Sequence, residues 1–153
     1  MTFDTARLRQ NEALSYKLMG VDALTLTPRE LLDAVGLHDA LYALKLYPEH
    51  AERWRLLACE MAELTSIDDR RLEVALGYAR EFATGGRRAQ EERRERFYLA
   101  ACKGGTDAAA VIAQLLLKRN ASTAPFKMRS YVLNAGVSPE EIAEKFIQMG
   151  EKS

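Results

Sequence analysis

Apolar residues recur along this 153-residue chain at the three- and four-residue spacings that stack side chains on one face of a helix. The clearest stripe is Trp54, Leu57, Met61 and Leu64. A second follows at Leu72, Ala75, Ala79 and Phe82. Leu31, Leu32 and Val35 form a shorter one, and Ile142, Ala143, Phe146 and Ile147 close the series. No stretch of useful length alternates in the manner of a strand.

Punctuation divides these stripes. Thr27-Pro28-Arg29-Glu30 and Ser138-Pro139-Glu140-Glu141 each order a hydroxyl, a proline and an acid as a helix start requires. The hydroxyl accepts a backbone N–H, proline suits the first turn, and the glutamate reaches back to the cap residue's own N–H. Gly85-Gly86 and Gly104-Gly105 are breaks. Residues 4–19 read as an amphipathic helix on Leu8, Leu14 and Leu18, stopped by Gly20. Pro28 opens a helix that ends at Gly36, and a short helix follows from about Asp39 to Leu46. Further helices are predicted from Pro48, after Ser66-Ile67-Asp68-Asp69, over Arg87–Cys102, over Asp107 to about Arg119, and from Pro125 to about Ala135.

The Arg87–Cys102 segment is charged in its first half and apolar in its second, so its C-terminal end is expected to be the buried one. The Asp107 helix is apolar nearly all round, as the central helix of a bundle is. The predicted fold is all-α. It is one compact domain over residues 1–153, an orthogonal bundle or stacked hairpins of about seven or eight short helices, with residues 1–20 a loosely attached N-terminal helix.

Composition narrows the function classes. Apolar residues make up 48 % and charged residues 29 %, which is globular. Basic and acidic residues number 22 each, so no net field draws the protein to nucleic acid or anionic membrane, and homo-oligomer formation is left open. The longest apolar run, Ala108–Leu117, is too short to span a bilayer, and the N-terminus has no signal-like apolar core. A cytoplasmic protein is expected. Cys59 and Cys102 show no metal or redox spacing and read as reduced core residues.

Candidate chemistry is sparse. His38 and His50 have no second histidine or cysteine at ligand spacing. Asp68 and Asp69 sit where helix-start acids belong. Gly104-Gly105-Thr106-Asp107 lacks the lysine of a phosphate loop. Trp54 reads as a core anchor. No catalytic residue, cofactor site or metal site is assigned.

Two charged regions remain. Arg87, Arg88, Arg93, Arg94 and Arg96 form an arginine-rich surface suited to a carboxylate- or phosphate-bearing partner. Lys118, Arg119, Lys127 and Arg129, interleaved with Phe126 and Tyr131, lie in a stretch without acids between Asp107 and Glu140. They are the alternative, a nucleic-acid surface. Asn134–Ala143 is similar to the first helix and turn of many helix-turn-helix proteins, in which a reading helix follows.

Three stretches carry a wider resemblance: Trp54 to Cys59; Asp68-Asp69-Arg70-Arg71 followed by Ala75, Ala79-Arg80 and Phe82-Ala83-Thr84-Gly85; and Arg93-Arg94 leading to Phe97 and Ala100-Ala101. Over roughly residues 28–115 the chain resembles poorly characterised bacterial all-helical proteins, some proposed as toxin-immunity proteins. The resemblance implies a helical protein that works by binding another protein and supplies no catalytic residues. The expected function is therefore a non-catalytic protein-binding module: an adaptor, a secretion-associated accessory protein or an immunity-type inhibitor.

Overall fold

A computed structural model describes residues 1–84, 91–116 and 121–152. Within them the chain runs β1 (Phe3–Asp4), α1 (Thr5–Leu8), α2 (Glu12–Lys17), β2 (Thr25–Leu26), α3 (Pro28–Ala43), α4 (Ala51–Glu63), α5 (Arg70–Thr84), α6 (Glu91–Cys102), α7 (Asp107–Leu115), α8 (Ala124–Asn134) and α9 (Pro139–Glu151). Three 3-10 turns lie at Leu44–Leu46, Pro48–His50 and Ala121–Thr123. The fold is all-α: nine helices among the described residues, packed on one another. The strands form a short antiparallel ribbon that pairs Phe3 with Leu26 and Asp4 with Thr25.

Both capping boxes close as read. Thr27 Oγ1 accepts from Glu30 N at 3.2 Å while Glu30 Oε1 accepts from Thr27 N at 3.3 Å. Ser138 and Glu141 repeat the exchange at 3.3 and 3.0 Å. Thr106 Oγ1 accepts from Ala109 N at 3.1 Å and starts α7. Asp69 Oδ1 accepts from Arg71 N at 2.8 Å, so Asp69 serves a helix start. Gly36 adopts φ 84° and ψ 167°, a combination open almost only to glycine. It breaks α3 into two helical halves joined by a one-residue kink.

The first twenty residues differ from the single helix predicted over 4–19. Asp4 Oδ1 accepts from Ala6 N at 2.8 Å and Asn11 Oδ1 from Leu14 N at 3.2 Å. Each is a start signal, and the second interrupts the first helix. Phe3, Leu8, Leu14 and Leu18 are fully buried. The Phe3 ring lies 5.3 Å from Tyr47, 6.4 Å from Trp54 and 6.1 Å from Phe146. Beside it, Arg7 and Glu49 form a bidentate pair, with Nη2 to Oε2 at 2.8 Å, which lowers the Glu49 carboxyl to about 2.

The core centres on α4. Its buried face holds Trp54, Leu57, Ala58, Cys59, Met61 and Ala62, and it packs against α5, α7, α8 and α9. The small residues let neighbouring backbones approach closely. The helix expected at the centre, α7, is also buried, between α5, α6 and α8. Among the described residues no helix is long and apolar enough to cross a membrane.

Two expectations are corrected. The C-terminal half of α6 is not buried as a block. Ala101 is enclosed, Phe97 and Tyr98 are half-buried, and Leu99 is exposed, because the half's apolar residues are consecutive and must spread around the helix. Cys102 shares that exposure, whereas Cys59 is a core residue as expected. Burial pushes the Cys59 thiol up to about 12. Alkylation of the folded protein is accordingly expected to modify Cys102 alone, with Cys59 reacting only on unfolding. Mass spectrometry before and after denaturant checks this, and prompt double labelling of native protein would contradict it.

Candidate functional site

A cleft of about 730 Å3 opens between α2, the second half of α3 and the start of α8. Local chemistry sets its walls. The Asn11 cap starts α2 so that Glu12 and Tyr16, one turn apart, face the opening. The Gly36 kink redirects α3, and His38 and Tyr42 then share one face of its second half. Pro125 opens α8 and puts Phe126 in its first turn. His38 and Tyr42 meet Phe126 edge-on, with ring centres 5.0 and 5.4 Å apart. Edge-to-face pairs of this kind hold rings in fixed orientations.

The polar side of the cleft is a short network. Lys17 pairs with Asp39 and also donates to the Val35 carbonyl at 3.3 Å. His38 Nδ1 and Asp39 Oδ1 are 3.0 Å apart. Burial works against ionisation of Asp39, but the bonds from Lys17 and His38 outweigh it and hold the carboxyl below its ordinary value. Tyr42 Oη accepts from Lys45, whose bond, with a smaller one from Asn11, lowers the phenol from its usual value. Glu12 makes no hydrogen bond or ion pair with a described residue.

Histidine beside aspartate is half of a nucleophilic set, but the lining contains no serine, threonine or cysteine for them to activate. Among the described residues no three histidine, cysteine or acidic side chains are placed to hold a metal ion. The mouth of the cleft is apolar and wet. Tyr16, 76 % exposed, lines the cleft and also an adjoining groove that it shares with Met19, 74 % exposed, and with Arg9 and Ser15.

Among the described residues, none of the basic side chains singled out in the sequence lines this cleft. Arg87, Arg88, Lys118 and Arg119 lie outside the described residues. Arg93 and Arg96 are exposed on α6, and Arg94 is half-buried there. Arg94 Nη1 donates to the Leu116 carbonyl at 2.7 Å and so satisfies the C-terminal end of α7. Lys127 is exposed and Arg129 half-buried on α8. Two residues apart on a helix, they point about 200° from each other and make no common stripe. His50 lies edge-on to Trp54 at 6.0 Å.

Residue patterns missed the cleft because its walls come from three separate segments. The one local signal was His38 and Tyr42 at a four-residue spacing just after a glycine. Comparison with protein-family models, curated proteins and solved structures finds no match to this chain.

Proposed function

We propose that the protein is a non-catalytic binding module whose preformed helical surface docks another protein at the α2–α3–α8 cleft. Such a module acts as an adaptor, a secretion-associated accessory protein or an immunity-type inhibitor, and we place it in the cytoplasm. The observation that supports this reading is the exposed Tyr16 at the rim of a concave aromatic wall, continued by the exposed Met19 in the adjoining groove. Single exposed apolar residues are ordinary on any surface. A contiguous set beside a pocket is where a partner's side chain gains most from leaving water. Because Tyr42, His38 and Phe126 already hold one another, little ordering is lost when the pocket fills. The partner segment would bring an apolar anchor flanked by a cation, since Glu12 offers an unpaired carboxylate at the rim.

The test is affinity capture from the source lysate after nuclease, with the natural sequence and with a Tyr16→Ala, Met19→Ala double variant. Both side chains are exposed, so the variant keeps its stability within about 0.5 kcal/mol. One stoichiometric protein, held by the natural sequence and weakened about tenfold or more in the variant, is the expected result. A protein held equally by both would sink docking at this cleft. Nucleic acid alone, released as salt rises, would favour the surface at Lys118, Arg119, Lys127 and Arg129 instead.

A further inference from the structure

The lining of the α2–α3–α8 cleft combines aromatic rings with one uncommitted charge. Phe126 is half-buried, and its ring stands at 72° to His38 and 68° to Tyr42. Tyr16, on α2, brings a further ring from the solvent side. Steep angles between adjoining rings make the sides of an open box and not a flat stack. The face of an aromatic ring carries the negative part of its quadrupole, so such a box attracts a cation. The fold already uses this attraction at Tyr42, where the Lys45 ammonium lies 3.6 Å from the ring centre without lining the cleft. No described cation lies over Phe126 or Tyr16.

The acids of the lining are Glu12 and Asp39, and its lysine is Lys17. Asp39 is committed, because Lys17 pairs with it and His38 Nδ1 lies 3.0 Å away. The Asn11 oxygen serves the α2 cap, and Tyr42 Oη accepts from Lys45. Glu12 is not committed. It is exposed in the first turn of α2 and makes no hydrogen bond or ion pair with a described residue. The cleft therefore offers a cation ring faces and one open carboxylate. That inventory sorts cations by their donors. A primary ammonium brings several N–H donors and a tightly held water shell, and a guanidinium brings more donors still. Neither finds acceptors enough here, and a donor left unmet costs free energy once water has gone. A methylated ammonium keeps the charge, spreads it over C–H surface and needs no acceptor.

We propose that the α2–α3–α8 cleft binds a methylated ammonium group, seated against Phe126 and Tyr16 with Glu12 as its counter-charge, and that the docked partner carries this group on a lysine side chain. Resting on the docking at this cleft described above, the partner's apolar anchor and its cation become one group. The long, flexible lysine stem lets the head enter the cleft while the partner's backbone stays outside. The adjoining groove along Ser15, Tyr16 and Met19 leaves room for the flanking chain. His38 and Tyr42 are positioning residues that hold the Phe126 ring.

The experiment titrates the full chain with choline and with dimethylbutanol, its uncharged carbon isostere, and follows the ligand methyl signals by NMR. Choline is expected to shift upfield and saturably, as seating on ring faces requires, and the isostere to bind about fivefold more weakly. Glu12→Gln is expected to weaken choline about threefold and to leave the isostere unchanged. Phe126→Leu removes the ring face. Should it fold poorly, Tyr16→Leu makes the same test at an exposed position, with an expected loss of about threefold. Acetyl-trimethyllysine methylamide is expected to bind at least as tightly as choline, and the unmethylated lysine amide about fivefold more weakly. Equal binding of choline and its isostere, or of the two lysine amides, would overturn the cation site. An absence of saturable shifts would do the same, and docking itself would still stand if the Tyr16→Ala, Met19→Ala variant loses its captured partner. Choline bound more tightly than the trimethyllysine amide would assign the cleft to a free small molecule and overturn the lysine-borne group.

Discussion

Replacing Trp54 by alanine is expected to lower the unfolding free energy by about 3–5 kcal/mol. The indole is 1 % exposed, and its N–H donates to the Tyr47 carbonyl at 2.9 Å. Truncation opens a cavity and removes one of the two hydrogen bonds that carbonyl accepts, the other coming from His50 N at 3.1 Å. The cavity resists collapse because Phe3, which stacks on the indole, is also held by Phe146 and Tyr47. Trp54 is the only tryptophan, so the measurement is urea unfolding followed by far-ultraviolet circular dichroism. Trp54→Phe keeps a ring and loses only the N–H, so it is expected to cost clearly less. A Trp54→Ala loss near the ordinary surface value of about 0.5 kcal/mol would contradict the core described above.

The second large effect is expected at Gly150, where alanine would ordinarily stabilise a helix by about 1 kcal/mol. Here a Cβ would stand 2.1 Å from Pro28 Cγ and 2.9 Å from Pro28 Cβ. Real side chains do not approach so closely, and the proline ring cannot rotate away. Helix α9 would have to part from the first turn of α3, where a capping box fixes the entry of the chain. Overpacking of this kind costs about 1–3 kcal/mol, so the sign of the Gly→Ala effect reverses. Gly77 supplies the contrast, because nothing lies within 4 Å of a Cβ built there. Gly77→Ala is expected to raise the melting temperature while Gly150→Ala lowers it. If contact with Pro28 is the cause, Pro28→Ala combined with Gly150→Ala will cost less than the sum of the two single changes.

These two sites also mark what the residues disclose on their own. Thr27, Asp69, Thr106 and Ser138 could be read as helix starts because a cap acts within three residues of itself. Gly36 could be read as a break for the same reason: a backbone preference is local. The stripe through Trp54 announced a core face because period alone defines it. The meeting of Gly150 with Pro28 has no such signature, since the two lie near opposite ends of the chain and neither residue's neighbours imply the other. The α2 cleft is hidden likewise, its rings being supplied by α3 and α8 and its rim by α2. Arginine placement was half visible. The charge of Arg93 and Arg94 stands out in the sequence, but their settings, one on the face of Tyr78 and one on the Leu116 carbonyl, are tertiary facts.

The stacking of Phe3 on Phe146 has a consequence for how the chain is made. Phe3 leaves the ribosome well before Phe146. Helix α4 waits in the same way for α8 and α9, the neighbours that complete its enclosure. Until α9 emerges, Phe3 and Trp54 have no finished pocket to enter, and the apolar faces of the earlier helices stay open to water. A nascent chain halted within α8 would therefore be a client for chaperones and not a folded intermediate, and this core closes only once α9 has been made.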